Sequence, residues 1–318
     1  MNQSQTGLSP NEATPEDAEA ASPACVLSFN TNDPSGASGI GADIATISAM
    51  GAHALPVVTS LLIRDTAEVF DSHEIDPEAI ADQARSILED VTIAAWKVGF
   101  LGGADGVSAV AEILSDYPDT PLVAYLPNLS WLEDEAQMSY LDAFKELILP
   151  ATYLLVGSHK TLTDFLLPDW DAERAPSARE LAVAANEAGA EYVLVTGMQL
   201  PDQFIDNVLA SAQGAVAGER FERFDASFVG AGDTLSASIA AILSSGTSVD
   251  VAISEALSFL DQALDSGFRP GMGNVVPDRF FWALPPGEQA EAEAAAAESD
   301  APESTDDTPT APPSRHVH

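Results

Sequence analysis

Two short segments gather the residues whose chemistry could exceed a structural role. The first, Gly230-Ala231-Gly232-Asp233-Thr234, opens an apolar stretch of helical length. Small residues at its first three positions leave successive main-chain N–H groups unobstructed at a helix N-terminus, where the dipole favours an anion. Asp233, within the first turn, would set a carboxylate beside a phosphoryl group held there, placed to take a proton from an attacking hydroxyl. The same residues also admit a structural role in which Asp233 caps the helix. The second segment, Asn32-Asp33-Pro34-Ser35-Gly36-Ala37-Ser38-Gly39-Ile40-Gly41-Ala42-Asp43, follows an apolar run. Its glycines permit tight turns and close approach of a ligand to the backbone, and a purely structural turn explains it as well.

Something must bring these segments together. Short runs rich in Val, Ile and Leu (Cys25 to Phe29, Pro56 to Ile63, Thr92 to Val98, Leu122 to Leu126, Thr152 to Val156 and Tyr192 to Val195) read as buried strands. Between most of them lie Ala-rich amphipathic stretches: Ile40 to Met50, Pro77 to Leu88, Gly106 to Leu114, Glu135 to Leu147 and Ala178 to Ala188. Such alternation predicts βαβ units and a mostly parallel sheet covered on both faces. Phe204 to Ser211 and Ala215 to Phe224, around Gln213-Gly214, predict a hairpin at one sheet edge, and helices over Gly232 to Leu243 and Val249 to Leu264 complete an α/β domain. No internal repeat is present. In open sheets of this kind ligands bind beyond the carboxyl ends of the strands, where both glycine-rich segments would fall.

Charge narrows the partners. The 318 residues carry 50 acidic against 12 basic side chains, a formal charge of -38, with one cysteine. Nucleic acid and anionic membrane surfaces are excluded as partners, because 12 scattered cations make no basic face. Cys25 alone can build neither an intrachain disulfide nor a thiolate zinc site. Residues 1–23 and 286–318 read as acidic, disordered tails flanking a domain over residues 24–285. Arg315-His316-Val317-His318 reads as a solvated end. The domain holds 38 acids and 11 bases, so its own charge is near -27. With no long apolar span and no Lys or Arg in the first 23 residues, the expectation is a soluble, cytoplasmic protein.

Asp33 to Asp43 closely follows the opening signature of the hydroxymethylpyrimidine and phosphomethylpyrimidine kinases of thiamine biosynthesis, Asp-Pro-Ser-Gly-Gly-Ala-Gly-Ile-Gln-Ala-Asp. Thr46-Ile47-Ser48-Ala49-Met50-Gly51-Ala52, Thr59-Ser60-Leu61-Leu62, Lys97-Val98-Gly99-Phe100-Leu101 and Gly271-Met272-Gly273 track the same pattern. Over roughly residues 25–282 the chain resembles this family and, with its two loops, the ribokinase-like superfamily. The resemblance implies a three-layer α/β/α ribokinase-like fold with a mostly parallel central sheet, a homodimer, and transfer of the γ-phosphoryl of ATP, with Mg2+, to a hydroxymethyl group and then to the resulting monophosphate. Carried over by position, it implies Gly230, Ala231 and Gly232 as the anion hole and Asp233 as base. Asn32 and Asp43 would serve the acceptor pocket, Leu62 and Phe100 would form its walls, and Thr196 and Gly197 would contact the nucleotide.

Several positions depart from the family. Arg64 replaces a glutamine that hydrogen-bonds the aminopyrimidine. A guanidinium only donates, so it could pair with Asp65 or Asp43, the first-ranked role, or face an anionic substrate such as a phosphomonoester. Gly-Ala-Gly-Asp replaces the usual Gly-Thr-Gly-Cys and resembles the sugar kinases of the superfamily. Ser158 and Thr161 replace an asparagine and a glutamate that order magnesium and phosphate, and Tyr125-Leu126-Pro127-Asn128 replaces a segment with a further carboxylate. The metal ligands stay unassigned, and His159 and Lys160 are expected at the surface unless they supply positive charge near the phosphates. A catalytically weak or inactive paralogue that binds a pyrimidine or phosphorylated ligand, or a pyridoxal-type kinase, is the alternative. His53, His73, Cys25 and the dispersed Trp96, Trp131, Trp170 and Trp282 read as ordinary structural residues.

Overall fold

The computed structural model describes residues 22–283; the predicted tails, apart from residues 22–23, and the terminal Arg-His-Val-His lie outside the described residues. Of the described residues, those up to Arg279 belong to one compact unit and those from Phe280 to a second. Of the second, a 3-10 turn at Phe281–Ala283 is described, with the Trp282 ring centroid 5.8 Å from that of Phe280 and 5.6 Å from that of Phe281.

The first unit is built on nine strands: β1 (Cys25–Asn32), β2 (His53–Arg64), β3 (Val69–Glu74), β4 (Ala95–Val98), β5 (Leu122–Tyr125), β6 (Leu154–Ser158), β7 (Tyr192–Gln199), β8 (Phe204–Ser211) and β9 (Gly214–Glu222). They form one sheet in the order β3-β2-β1-β4-β5-β6-β7-β8-β9. The six strands from β2 to β7 in that order are parallel; β3 and the β8–β9 hairpin add antiparallel edges. The helices are α1 (Gly39–Ala49), α2 (Pro77–Leu88), α3 (Ala104–Ser115), α4 (Asp134–Ala143), α5 (His159–Leu166), α6 (Ala178–Glu187), α7 (Ala231–Ser244) and α8 (Val249–Asp265).

Side chains alternate across each strand, so neighbouring residues feed opposite cores. Val26, Val123, Leu154 and Leu194 pack with Ile47 of α1, Leu235 of α7 and Ile253 of α8. Leu27, Leu122, Leu155 and Val193 pack with Ile80 of α2, Val107 of α3, Tyr140 of α4, Leu162 of α5 and Leu181 of α6. The result is the expected three-layer α/β/α fold. Among the described residues no helix is long and apolar enough to cross a membrane.

Sequence and structure part at three places. β3, with the polar sequence VFDSHE, is an added edge strand that no apolar run signalled. Its turn from β2 is closed by Asp65, whose Oδ1 accepts the N–H groups of Ala67 and Glu68 at 2.6 and 2.9 Å; these bonds hold its carboxyl below the ordinary aspartate value. The predicted helix through Leu147 instead ends at Ala143 and continues as a π-turn over Phe144–Ile148. α5, also unforeseen, begins directly at the end of β6.

Candidate active site

The two glycine-rich segments meet at the carboxyl ends of β1 and β4. Asn30 and Thr31 lie just before the end of β1 at Asn32, and Asp33 then fixes the loop that follows. Its Oδ1 accepts Ser35 N–H at 2.8 Å and Ser35 Oγ at 2.6 Å, while Oδ2 accepts Ser38 N–H at 2.9 Å and Ser38 Oγ at 2.5 Å. That loop lies against the start of α7. Gly230, the residue before the helix, has φ 85°, and a β-carbon there would run into the Ala37 carbonyl. Only glycine satisfies both constraints. A β-carbon at Gly232 would collide with the Tyr125 ring.

No side chain caps α7. Its first-turn N–H groups therefore stay uncommitted to side chains, as an anion-holding terminus requires. The capping role open to Asp233 is not what the structure contains, because its carboxylate turns inward. Asp233 Oδ1 accepts Lys97 Nζ and Asn30 Nδ2, each at 2.8 Å. The other hydrogen of the Asn30 amide goes to Asp43 Oδ2 at 2.8 Å, and Lys97 Nζ lies 2.9 Å from Asp43 Oδ1. Ser28 Oγ donates to Asp43 Oδ2 at 2.6 Å. Lys97 and Asp43 have no exposed side-chain surface, whereas Asp233 keeps 11 %. A buried ammonium thus bridges two carboxylates, and Asn30, whose Oδ1 accepts the N–H groups of Thr31 and Phe100, locks the arrangement to the strand ends.

The electrostatics follow from that geometry. Burial pushes the Asp233 carboxyl up, but Lys97, the Asn30 amide and the Gly39 N–H together outweigh burial and hold it below the ordinary 3.8. Asp43, deeper, is raised because burial and the neighbouring Asp233 exceed the help from Lys97 and Ser28. Lys97 is raised, since its two carboxylates outweigh the cost of burial. Tyr125, whose ring lies 5.8 Å from Lys97 Nζ, is pushed well above the usual phenol value by burial, Asp233 and Asp43. A second buried cation, Arg279, donates from Nη2 to the Ala37 carbonyl at 2.6 Å and from Nε to Thr234 Oγ1 at 3.0 Å, tying the first loop to the first turn of α7.

Above Asp233 opens a cavity of about 220 Å3. It brings together Leu62, Arg64, Phe100, Gly230 and Asp233 from the expected set, with Asn30, Thr31, Tyr125 and Trp131. Asp43, expected in the acceptor pocket, lies beneath it, behind Asn30 and Lys97. Asn32 is exposed and outside the lining, and Ala231 and Gly232 lie on the helix beyond it. Thr196 and Gly197 sit apart on β7, where Thr196 Oγ1 donates to the Gly157 carbonyl at 3.2 Å and Gly197 N–H to Asn207 Oδ1 at 3.0 Å. Arg64 pairs with neither expected carboxylate: its Nη1 lies 3.5 Å from Asp33, and Nε donates to the Asp65 main-chain carbonyl at 2.9 Å.

A second cavity of about 250 Å3 shares Pro127, Asn128 and Leu129 with the first and holds Ser158, Lys160 and Thr161. Ser158 is the N-cap of α5: its Oγ accepts Thr161 N–H at 3.1 Å and lies 2.8 Å from Thr161 Oγ1. Lys160 pairs with Asp164 at 2.6 Å, and His159 Nε2 lies 2.8 Å from the Pro176 carbonyl. The two positions that in the resembled family order a metal are thus hydroxyls engaged in a helix cap. Among the described residues no three of His, Cys, Asp and Glu stand together as a metal-holding group. Among the described residues there is thus no all-protein magnesium cage, and a magnesium ion carried mainly by phosphate oxygens and water would not need one.

A larger hollow, about 590 Å3, lies at the opposite end of the sheet, lined by Trp96, Tyr117, Pro121 and Thr152. It faces the amino ends of the strands and contains none of the groups just described. Size therefore does not identify the site; the convergence of buried charge does.

Sequence reasoning missed Asn30, Lys97 as a site residue, and Arg279. Lys97 offered a faint signal, a lysine inside an apolar strand. Arg279 and Asn30 offered none.

Comparison with known proteins identifies the family. The phosphomethylpyrimidine kinase family matches residues 33–278. A hydroxymethylpyrimidine/phosphomethylpyrimidine kinase of Mycobacterium leprae is 30% identical over 266 residues, 79% of this chain and 92% of the relative. The fold resembles that of a Bacillus subtilis pyridoxal kinase solved with ADP, with a TM-score of 0.75 and 22% identity over 83% of this chain and all of the other. A Clostridium difficile phosphomethylpyrimidine kinase is similar at a TM-score of 0.63 and 20% identity, covering 75% of this chain and 100% of that one. The match across most of the chain, on a three-layer sheet with its charged cluster beneath the α7 terminus, shows that the chain belongs to the phosphomethylpyrimidine kinase family of ribokinase-like phosphotransferases.

Proposed function

We propose that the chain transfers the γ-phosphoryl group of ATP to the hydroxymethyl oxygen of a small heteroaromatic alcohol, and in a second turnover to a phosphate oxygen of the resulting monophosphate, in line with relatives named hydroxymethylpyrimidine/phosphomethylpyrimidine kinases. The alcohol lies in the 220 Å3 cavity with its hydroxyl toward Asp233. The hydroxyl O–H bond breaks, its oxygen forms the new bond to the γ-phosphorus, the bond between that phosphorus and the bridging oxygen breaks, and ADP leaves. The proton passes to Asp233. The uncapped N–H groups at the start of α7 stabilise the charge on the transferring group.

One observation carries this reading. Asp233 is anchored through Oδ1 by Lys97 and Asn30, is held ionised, and yet lines the cavity beside an uncapped helix terminus. A carboxylate serving only the fold would be neither ionised at such cost nor left open to the pocket.

Asp233→Asn tests it. With magnesium, ATP and hydroxymethylpyrimidine, kcat is expected to fall by about 10²–10⁴-fold while acceptor affinity changes little. Equal turnover by wild type and variant would remove Asp233 from the role of base. Binding of the alcohol without consumption of ATP by either would instead favour a ligand-binding paralogue.

A further inference from the structure

Arg64 is out of place in a pocket built for an uncharged ring. Leu62, Val69, Phe100, Leu129 and Trp131 give the cavity flat apolar walls, with the Phe100 and Trp131 rings edge to face at 5.3 Å. At about 220 Å3 it is smaller than the roughly 300–1,000 Å3 of drug-sized sites, which suits one ring. Into this slot comes a guanidinium whose side chain is only 8 % exposed.

Its charge is incompletely satisfied. Both oxygens of Asp33, the nearest carboxylate, already accept two hydrogen bonds each from Ser35 and Ser38, and Arg64 Nη1 stands off at 3.5 Å. A hydrogen-bonded ion pair would close to about 2.7–2.9 Å. Arg64 Nη1 donates to Ser38 Oγ at 3.2 Å and Nε to the Asp65 carbonyl; Nη2 has no hydrogen bond among the described residues. Its deepest polar neighbour cannot compensate. Asn30 has both amide hydrogens and its oxygen committed within the protein. What Arg64 offers a ligand is donors alone, and a ring amino group placed there would meet N–H against N–H.

We propose that the acceptor is a single planar ring alcohol carrying an anionic oxygen, on the ring or on a short arm, that pairs with Arg64, and that a ring presenting an amino group there is disfavoured. The proposal rests on the phosphotransfer reading for its alcohol and adds the chemistry of the opposite edge.

The probes are pyridoxal, whose ring oxygen is a phenolate, 5-(hydroxymethyl)nicotinate, a ring alcohol whose anion is a carboxylate on a one-carbon arm, and hydroxymethylpyrimidine itself. Each is titrated calorimetrically into the full chain and also run as acceptor in an ATP-consumption assay. One of the two anionic probes is expected to bind at least about tenfold more tightly than hydroxymethylpyrimidine, the probe showing where the anion sits. Arg64→Gln is expected to abolish that ratio. Arg64→Lys keeps the charge but loses the fork, so it should retain the preference at weaker affinity; it carries the test if the glutamine variant does not fold. Tightest binding of hydroxymethylpyrimidine to wild type, or a ratio unchanged in a folded Arg64→Gln, overturns the proposal. Fastest ATP consumption with hydroxymethylpyrimidine also overturns it and leaves phosphotransfer standing. An Arg64-dependent preference without ATP consumption by any probe overturns phosphotransfer and leaves the anion recognition intact.

Discussion

In the proposed transfer, Lys97 sets the working state of Asp233 as base. A base is useful only while ionised, and in a buried site ionisation must be supported by neighbours. Lys97 Nζ supplies that support at 2.8 Å while sharing its charge with Asp43. Since the folded Asp233 titrates below 3.8, kcat/KM should stay level through neutral pH and fall only as pH drops through that lowered value. Lys97→Met removes the main opposition to burial, so the Asp233 carboxyl rises and the acid limb of the profile moves to higher pH. Two uncompensated buried carboxylates should also cost about 3–5 kcal/mol of stability, read by denaturant melts. Asp43→Asn removes the competitor for Lys97 and should move the acid limb the other way. An acid limb that stays fixed in both variants would show that another group titrates in the rate.

At the scale of elements, the site depends on how closely the first loop packs on α7. Gly230→Ala puts a side chain into the Ala37 carbonyl, at a backbone φ of 85°. The left-handed backbone alone costs about 1–2 kcal/mol, and the collision must also push the loop away from the helix terminus. A drop in thermal stability together with a larger loss in kcat than in acceptor binding is expected; unchanged kcat would show that the terminus does not serve the transferring group. This junction was half legible. The βα alternation and small residues at 230–232 announced a helix start with unobstructed N–H groups, because local pattern determines both. The partners of Asp233 were not legible, because Asn30 and Lys97 lie 203 and 136 residues away in sequence. β3 and α5 escaped for a different reason. β3 is a polar edge strand stabilised by pairing with β2, and α5 is an eight-residue helix started by the Ser158 cap, so neither needs an apolar run.

Across the whole molecule, the scarcity of cations becomes informative. Three of the 11 bases in residues 24–285 (Arg64, Lys97 and Arg279) are gathered at the site, where they face Asp33, Asp43 and Asp233. The site is close to neutral, and the rest of that segment holds 35 acids against eight bases. The ion pairs seen outside the site among the described residues do little to relieve this: Arg85–Glu112, Lys160–Asp164 and Arg174–Glu180 are exposed, and such pairs contribute about 0–1 kcal/mol each. Self-repulsion therefore opposes folding and also opposes approach of a polyanionic nucleotide. Sodium chloride shortens the screening distance from about 10 Å at 0.1 M to about 3 Å at 1 M. Over that range Tm should rise, by about 2–4 °C for each 1 kcal/mol of repulsion relieved, and KM for ATP should fall. A chain held together by surface ion pairs, or a basic nucleotide site, would respond in the opposite direction on both measurements. An equal concentration of a neutral osmolyte separates screening from general strengthening of apolar burial, because it can raise Tm but has no means of lowering KM through charge.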